Sequence, residues 1–251
     1  MNHPRITVVT HALDRPQHLE QTIRSVIDQG CDNLEYLICD AGDSQSAQIL
    51  KNYDTGLARR ISEPGQNPIQ TINKAFASAS GDLHCLINSG DQLEQGSLLA
   101  AAEAFSAGHR WIIGWSQILE PGGNQWPHLP RPHGSKVDWL VYNPLRWQPC
   151  FWAAKLTSDL GGFSQDLREA FEYDFCVRMA LDAKVIPHVL RRCMGTYRVP
   201  ADYLNPADDD LYELEVVQVQ RKHLHRLSSS EQRIRNRRRR LKQPPVVLSQ
   251  M

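Results

Sequence analysis

Hydrophobic and polar positions along the first ninety residues switch repeatedly between a strand period and a helix period. Ile6-Thr7-Val8-Val9-Thr10 is a β-branched run that predicts a buried strand. Asp14-Arg15-Pro16 marks a turn and a helix start. Leu19, Ile23, Val26 and Ile27 then recur at helical spacing until Gly30 ends the helix. Leu34 to Cys39 predicts a second strand, which runs into the polar loop Asp40-Ala41-Gly42-Asp43-Ser44. A second helix is expected over Ser46 to Tyr53 and a short strand around Ala58 to Ile61. Beyond the loop Glu63 to Pro68, residues Ile69, Ile72, Ala75, Phe76 and Ala79 form the apolar face of a third helix, closed by Gly81. Leu83 to Ile87 is a fourth strand, ending at Asn88-Ser89-Gly90-Asp91.

Strands alternating with helices at these lengths predict an α/β fold: a mixed, mostly parallel central sheet flanked by helices. Ligands in such sheets sit at the carboxyl ends of the strands. Three polar loops fall there: Thr10 to Arg15, Asp40 to Ser44, and Asn88 to Asp91. The second half is less regular. Leu98 to Phe105 reads as a helix and Trp111 to Trp115 as a strand. Pro121 to Ser135 is rich in Pro, Gly and His without clear periodicity. A strand over Pro149 to Ala154 leads into a short helix to Leu160 and a turn at Gly161-Gly162-Phe163. Ala170 to Leu181 is helical, Val185 to Val199 predicts two short strands, and Asp208 onward is a long helical stretch.

Composition narrows the class. The 251 residues are enough for one large α/β domain or two fused halves. Lys plus Arg balances Asp plus Glu at 28 each, so overall charge points to no partner. Its distribution does: an acidic stretch precedes a strongly basic tail. The six cysteines form no CxxC pair, which argues against a zinc site and predicts buried thiols in a reducing compartment. No signal peptide is evident, and no apolar run approaches the roughly 18–20 residues that span a bilayer. A cytoplasmic protein is expected, peripheral to the inner face of a membrane at most.

By Asp91 the order of motifs is specific. Ile6 to Thr10 with Asp14-Arg15, the loop Asp40-Ala41-Gly42-Asp43-Ser44, Ser62-Glu63-Pro64 followed by Ile72-Asn73-Lys74-Ala75 and Ser80-Gly81-Asp82, and Leu86 to Asp91 stand in sequence. Gln148-Pro149-Cys150-Phe151-Trp152, Leu160-Gly161-Gly162-Phe163 and Glu172-Tyr173-Asp174-Phe175 with Arg178 follow. Together they resemble the family-2 glycosyltransferases, among them those of bacterial polysaccharide biosynthesis, over residues 5 to 200. The resemblance implies the GT-A (Rossmann-like) fold. It also implies residues 1–205 as a glycosyltransferase domain, with a nucleotide-binding half at 1–91 and an acceptor half at 92–205; residues 206–251 would form a helical, basic extension.

Transfer from a nucleotide sugar leaves negative charge on a diphosphate, which a divalent metal or fixed cations must stabilise. Mg²⁺ and Mn²⁺ bind through one or two carboxylates plus phosphate oxygens. Asp91 is the candidate metal ligand. The family's second carboxylate would fall at 88 or 90, where this chain has Asn88 and Gly90. The resemblance further implies that Thr10, Asp14, Asp40 and Asn88 lie on the nucleotide-sugar donor, with Asp40 near the base. It puts Glu172 at the position of the general base that an inverting transfer needs, with Asp174 as back-up. Arg178 follows Asp174 by four residues, which suits an ion pair on the helix as well as a phosphate contact. Trp147 and Gln148 are expected on the acceptor side, and His133 is a weak acceptor candidate.

Between Arg221 and Lys242 the tail carries ten basic residues against Glu231 alone. Such a run is a solvated helix or a contact for anionic lipid head groups. Lipid-linked or glycan acceptors are implied by the family. Aromatic residues do not interleave the run, so nucleic acid is not expected as a partner. Two other readings compete. Asn88, Gly90 and Gln70 suit a donor-binding GT-A protein that has lost turnover. A nucleotidyltransferase would need a Gly-rich loop after the first strand, and His11 to Arg15 has no glycine.

Overall fold

The computed structural model describes residues 3–12, 16–40, 44–53, 58–62, 67–130, 135–143, 145, 149–199 and 206–242. Strands β1 (Ile6–His11), β2 (Leu34–Asp40), β3 (Arg59–Ser62) and β4 (Leu83–Asn88) alternate with helices α1 (Pro16–Ile27), α2 (Ser44–Lys51) and α3 (Pro68–Ala77). They pair in the order β3-β2-β1-β4, all parallel. The second half supplies β5 (Gln92–Leu93), α4 (Ser97–Ser106), β6 (Trp111–Leu119), β7 (Gln125–His128), α5 (Lys136–Trp139), β8 (Cys150–Ala153), α6 (Ala154–Leu160), α7 (Phe171–Leu181) and β9 (His188–Arg198). After it come α8 (Pro206–Lys222), a 3₁₀ turn at Leu224–Arg226 and α9 (Ser229–Lys242).

β8 enters antiparallel between β4 and β6, while β9 returns parallel to β6. The result is the expected mixed, mostly parallel sheet with helices on both faces. Alternation along β1 sends Ile6 and Val8 to one face, where they meet Leu19, Ile23 and Val26 of α1. Val9 faces the other side, among Ile72 and Phe76 of α3, Phe175 of α7, and Val216 and Val219 of α8. Helix α8 therefore belongs to the core of the second face.

Several details differ from the sequence reading, among them β5, α5 and the extension of β6 to Leu119. β7 forms inside the stretch without periodicity; its residues are mostly exposed, so no alternation marked it. Val185 to Val199 gives one long strand, β9, whose irregularity against β6 lies near Gly114, mid-strand. The helical tail is split by the turn at Leu224–Arg226 into α8 and α9.

Gly81 shows how tightly the central strands are joined. A Cβ there would lie 2.5 Å from Thr7 Oγ1 and 2.6 Å from the Thr7 nitrogen. Both groups are backbone or strand-bound and cannot yield cheaply, and Gly81 N already donates to Thr7 Oγ1 at 3.0 Å. Gly81→Ala should therefore cost about 1–3 kcal/mol of stability by overpacking the β1–β4 junction. Urea unfolding would show it; an unchanged midpoint would mean that the close approach is not enforced.

Candidate active site

The parallel register lays three strand ends side by side. His11 is opposite Cys39 on β2 and opposite Asn88 on β4, and Asp40 is opposite Ser62 on β3. The strand ends that lead into the predicted polar loops thus lie together on one edge of the sheet. Ser89 N donates to His11 O at 2.9 Å, joining the β4 turn to β1. That turn is pinned from below by buried Thr22 on α1: its hydroxyl accepts from Gly90 N at 2.9 Å and donates to Asp91 O at 2.7 Å. Gly90 has φ of 103°, a backbone region that side chains rarely adopt. A carboxylate residue at position 90 would be strained there, which accounts for the glycine.

Asp91 and Asn88 lie at the partly exposed rim of this edge. Asp91 Oδ1 accepts from Arg198 N at 3.0 Å, and Arg198 also donates from Nε to Gly90 O at 3.3 Å and from Nη2 to Gln21 Oε1 at 2.9 Å. Arg198, at the end of β9, was not marked by the sequence; only the fold brings it to the loop. Asn88 Nδ2 donates to Glu172 Oε1 at 3.4 Å, so the first turn of α7 reaches the same edge. Burial pushes the Glu172 carboxyl above its ordinary range, partly opposed by the hydrogen bond from Asn88.

The other expected residues are placed differently. Thr10 is fully buried, its hydroxyl bonded to Tyr36 Oη at 2.8 Å, so it supports the floor beneath the loops. Asp40 is 1% exposed and ion-paired with Arg60 on β3. Asp14, His133, Trp147 and Gln148 lie outside the described residues. Asp174 is 0% exposed and faces away from Asn88: its oxygens meet Arg178 Nε at 2.7 Å and His223 Nε2 at 2.8 Å. Arg178 also donates to Leu160 O and Gly162 O, both at 2.8 Å, so the arginine is structural. Among the described residues, no group of three or more His, Cys, Asp or Glu is placed to hold a metal ion.

The sequence profile described as glycosyl transferase family 2 matches residues 7–173. The chain belongs to that family. An uncharacterised glycosyltransferase of Mycobacterium tuberculosis, found in strains CDC 1551 and H37Rv, is 26% identical over 214 residues, covering 79% of each chain. Two solved structures share the fold. The mannosyltransferase PcManGT from Pyrobaculum calidifontis, in complex with GDP-Man and Mn²⁺, has a TM-score of 0.69 at 13% identity, covering 96% of this chain and 70% of its own. Residues 1–349 of TarS from S. aureus, in complex with UDP-GlcNAc, give 0.62 at 16% identity; that match covers 78% of this chain and spans 59% of TarS 1–349.

In this family-2 glycosyltransferase the buried charge of Asp174 carries a pH signature. Burial alone would raise its pKa, but the hydrogen bond from His223 and the charge of Arg178 outweigh that and hold it at about 2. A carboxylate depressed below its unfolded value of about 3.9 contributes stability above that value, and the contribution is lost as pH falls toward about 2. Asp174→Ala strands the cation of Arg178 and should cost about 3–5 kcal/mol at neutral pH. Asp174→Asn should flatten the loss of stability between about pH 4 and pH 2. Denaturant unfolding across that range checks both, and a wild-type acid slope in the asparagine variant would refute the assignment.

Proposed function

We propose that this chain transfers a sugar from a nucleotide-sugar donor to a hydroxyl acceptor with inversion, using Glu172 as general base. The observation that carries the reading is the meeting of Glu172 and Asn88 at 3.4 Å on the edge where the strand ends lie together. The GT-A neighbours solved with UDP-GlcNAc and with GDP-Man support a nucleotide-sugar donor. The donor's base would lie over the end of β2, where Arg60, paired with Asp40, presents a charged edge. Its diphosphate would lie against the Asn88 to Asp91 turn and Arg198. The same reading divides the chain into a donor half at 1–91 and an acceptor half at 92–205, followed by the helical, basic extension 206–251.

Asp91 is the residue that would hold a divalent cation, together with the donor's phosphate oxygens. One carboxylate plus phosphates is within the usual Mg²⁺ or Mn²⁺ donor set, so the residues present fit, in their minimal form. Such a cation supplies charge that stabilises the departing diphosphate. Glu172 takes the proton as the acceptor oxygen bonds to the anomeric carbon and the bond from that carbon to the phosphate oxygen breaks. Its raised pKa makes it a stronger base than an ordinary carboxylate, and the acid limb of kcat should lie correspondingly high. Asp174, held by Arg178 and His223, positions the helix that carries Glu172. The competing reading, a donor binder without turnover, is favoured by Asn88 and Gly90 standing where carboxylates are expected.

A thermal-shift screen of UDP, GDP, CMP and dTDP with Mg²⁺ or Mn²⁺ should single out one nucleotide, since a bound ligand raises stability by mass action. With the matching nucleotide sugar, Glu172→Gln should lower kcat about 10²–10⁴-fold while leaving nucleotide affinity intact. Asp91→Ala should weaken nucleotide binding and remove its metal dependence. Wild-type turnover in Glu172→Gln would sink the base assignment; donor binding with no turnover in the wild type would favour the inactive binder.

The exposed arginines of α9 support contact with an anionic membrane, where a lipid-linked acceptor would be met. No helix among the described residues is long and apolar enough to cross a membrane. Part of the basic run is committed to the fold: Arg226 pairs with Asp182, Arg238 pairs with Asp138, and Arg235 is buried against Leu140 O. Arg233 and Arg237 are exposed. Each basic residue at such a surface contributes about 1 kcal/mol. Reversing Arg233 and Arg237 to Glu should therefore weaken flotation with phosphatidylserine liposomes about tenfold or more, and unaltered flotation would exclude α9 as the contact.

A further inference from the structure

The first turn of α7, which carries Glu172, has no cap from its own sequence: Ala170 precedes it and offers no side-chain acceptor. A helix start leaves several backbone N–H groups needing acceptors, and a negative charge there complements the helix dipole. Here α8 supplies an acceptor for the N-cap residue Ala170 and for the two residues that lead into it. Glu215, 7% exposed, takes Arg168 N on Oε1 and both Glu169 N and Ala170 N on Oε2, each at 2.8 Å. Eight residues later, buried His223 grips Asp174 at 2.8 Å. Arg226 donates to His223 Nδ1 at 2.5 Å, which leaves Nε2 to carry the N–H toward Asp174. Two anchors from residues 215–223 thus bracket Glu172, one just before it and one just after.

We propose that Glu215 is a positioning residue for the transfer: by holding the backbone of residues 168–170 it sets where the Glu172 carboxyl lies against Asn88. The proposal rests on the reading of Glu172 as the base, but its geometric half stands apart from that reading. A cap that served stability alone would leave Glu172's surroundings unchanged when loosened. A positioning residue would not, because Glu172 is hydrogen-bonded to Asn88 of β4 and lies near Cys85 of β4 and Cys176 of its own helix, and a shift of the first turn would change its exposure to water.

The test uses the full chain and the variants Glu215→Ala, Glu215→Gln, Glu172→Gln and the double Glu172→Gln/Glu215→Ala. The primary readout needs no donor: the side-chain carboxyl ¹³C titration of Glu172, identified by its loss in Glu172→Gln, with amide exchange over 166–176. Glu215→Ala is expected to move the Glu172 midpoint down toward the ordinary carboxylate range and to speed exchange at 168–174. Glu215→Gln, which keeps one acceptor oxygen, should fall between it and the wild type. With UDP-GlcNAc or GDP-mannose as donor, kcat should fall about 100-fold at unchanged KM. The double variant should be no slower than Glu172→Gln alone. A wild-type midpoint in folded Glu215→Ala, or in Glu215→Gln should the alanine variant not fold, overturns the proposal. So does an equal further loss of rate in the double variant. Wild-type turnover in Glu172→Gln with a displaced midpoint in Glu215→Ala would instead remove the base reading and leave the positioning intact.

Discussion

A carboxylate with no exposed surface must be surrounded by partners, and Asp174 draws three separate segments together to meet that demand. Removing a charge from water costs several kcal/mol unless hydrogen bonds and opposite charge replace the lost hydration. Arg178 replaces it from the next turn of α7 and in the same stroke binds the carbonyls of Leu160 and Gly162, fixing the turn after α6. That turn is fixed again from α3, where Asn73 both donates to Phe163 O and accepts from Phe163 N. His223 brings in the segment after α8. The helix facing the strand-end loops is therefore located by polar contacts of defined direction, while the apolar packing around Phe163 and Phe175 supplies most of the burial.

Residues 1–91 were legible because their signals are local. Strand and helix periods alternate cleanly from Ile6 to Ile87, and the rule that parallel sheets bind at their carboxyl edge places the three loops together without knowledge of any side-chain contact. Residues 92–205 obey no such local rule. β7 carries no buried alternation, and β9, read as two short strands, is one strand whose pairing with β6 is irregular near Gly114. Asp174 and Glu172 could not be ranked from spacing alone: residues two apart on a helix diverge, and only the tertiary partners say which of them turns inward to a cation. Glu215 and His223 were invisible for a related reason. In the sequence they are an acid in an acidic stretch and a histidine in a basic one, 45 and 49 residues from the atoms they bind.

The basic tail shows the same limit from the opposite side. A charge run reads as a solvated face, and for Arg233 and Arg237 that is what the structure has. Arg235 in the middle of the run is 5% exposed, its guanidinium bonded to Leu140 O and Gln220 Oε1. An arginine can be buried in this way because its planar fork distributes charge over several donors. Composition counts charges without saying which of them are committed to the fold.

The two departures from a paired-carboxylate loop can be understood from the same geometry. Gly90 occupies a left-handed backbone position in a turn held by Thr22, whose hydroxyl bridges Gly90 N and Asp91 O. Any side chain there would strain the turn that presents Asp91. Asn88 stands 3.4 Å from Glu172. An aspartate in its place would set two carboxylates in contact, and their repulsion would raise the pKa of one of them. With Asn88 donating, the hydrogen bond favours the ionised form of Glu172 and partly offsets the burial that opposes it. Asn88 thus takes one carboxylate out of the loop and sets an amide donor against the half-buried Glu172, so that under the proposed mechanism a single amide links the turn at Asp91 to the base.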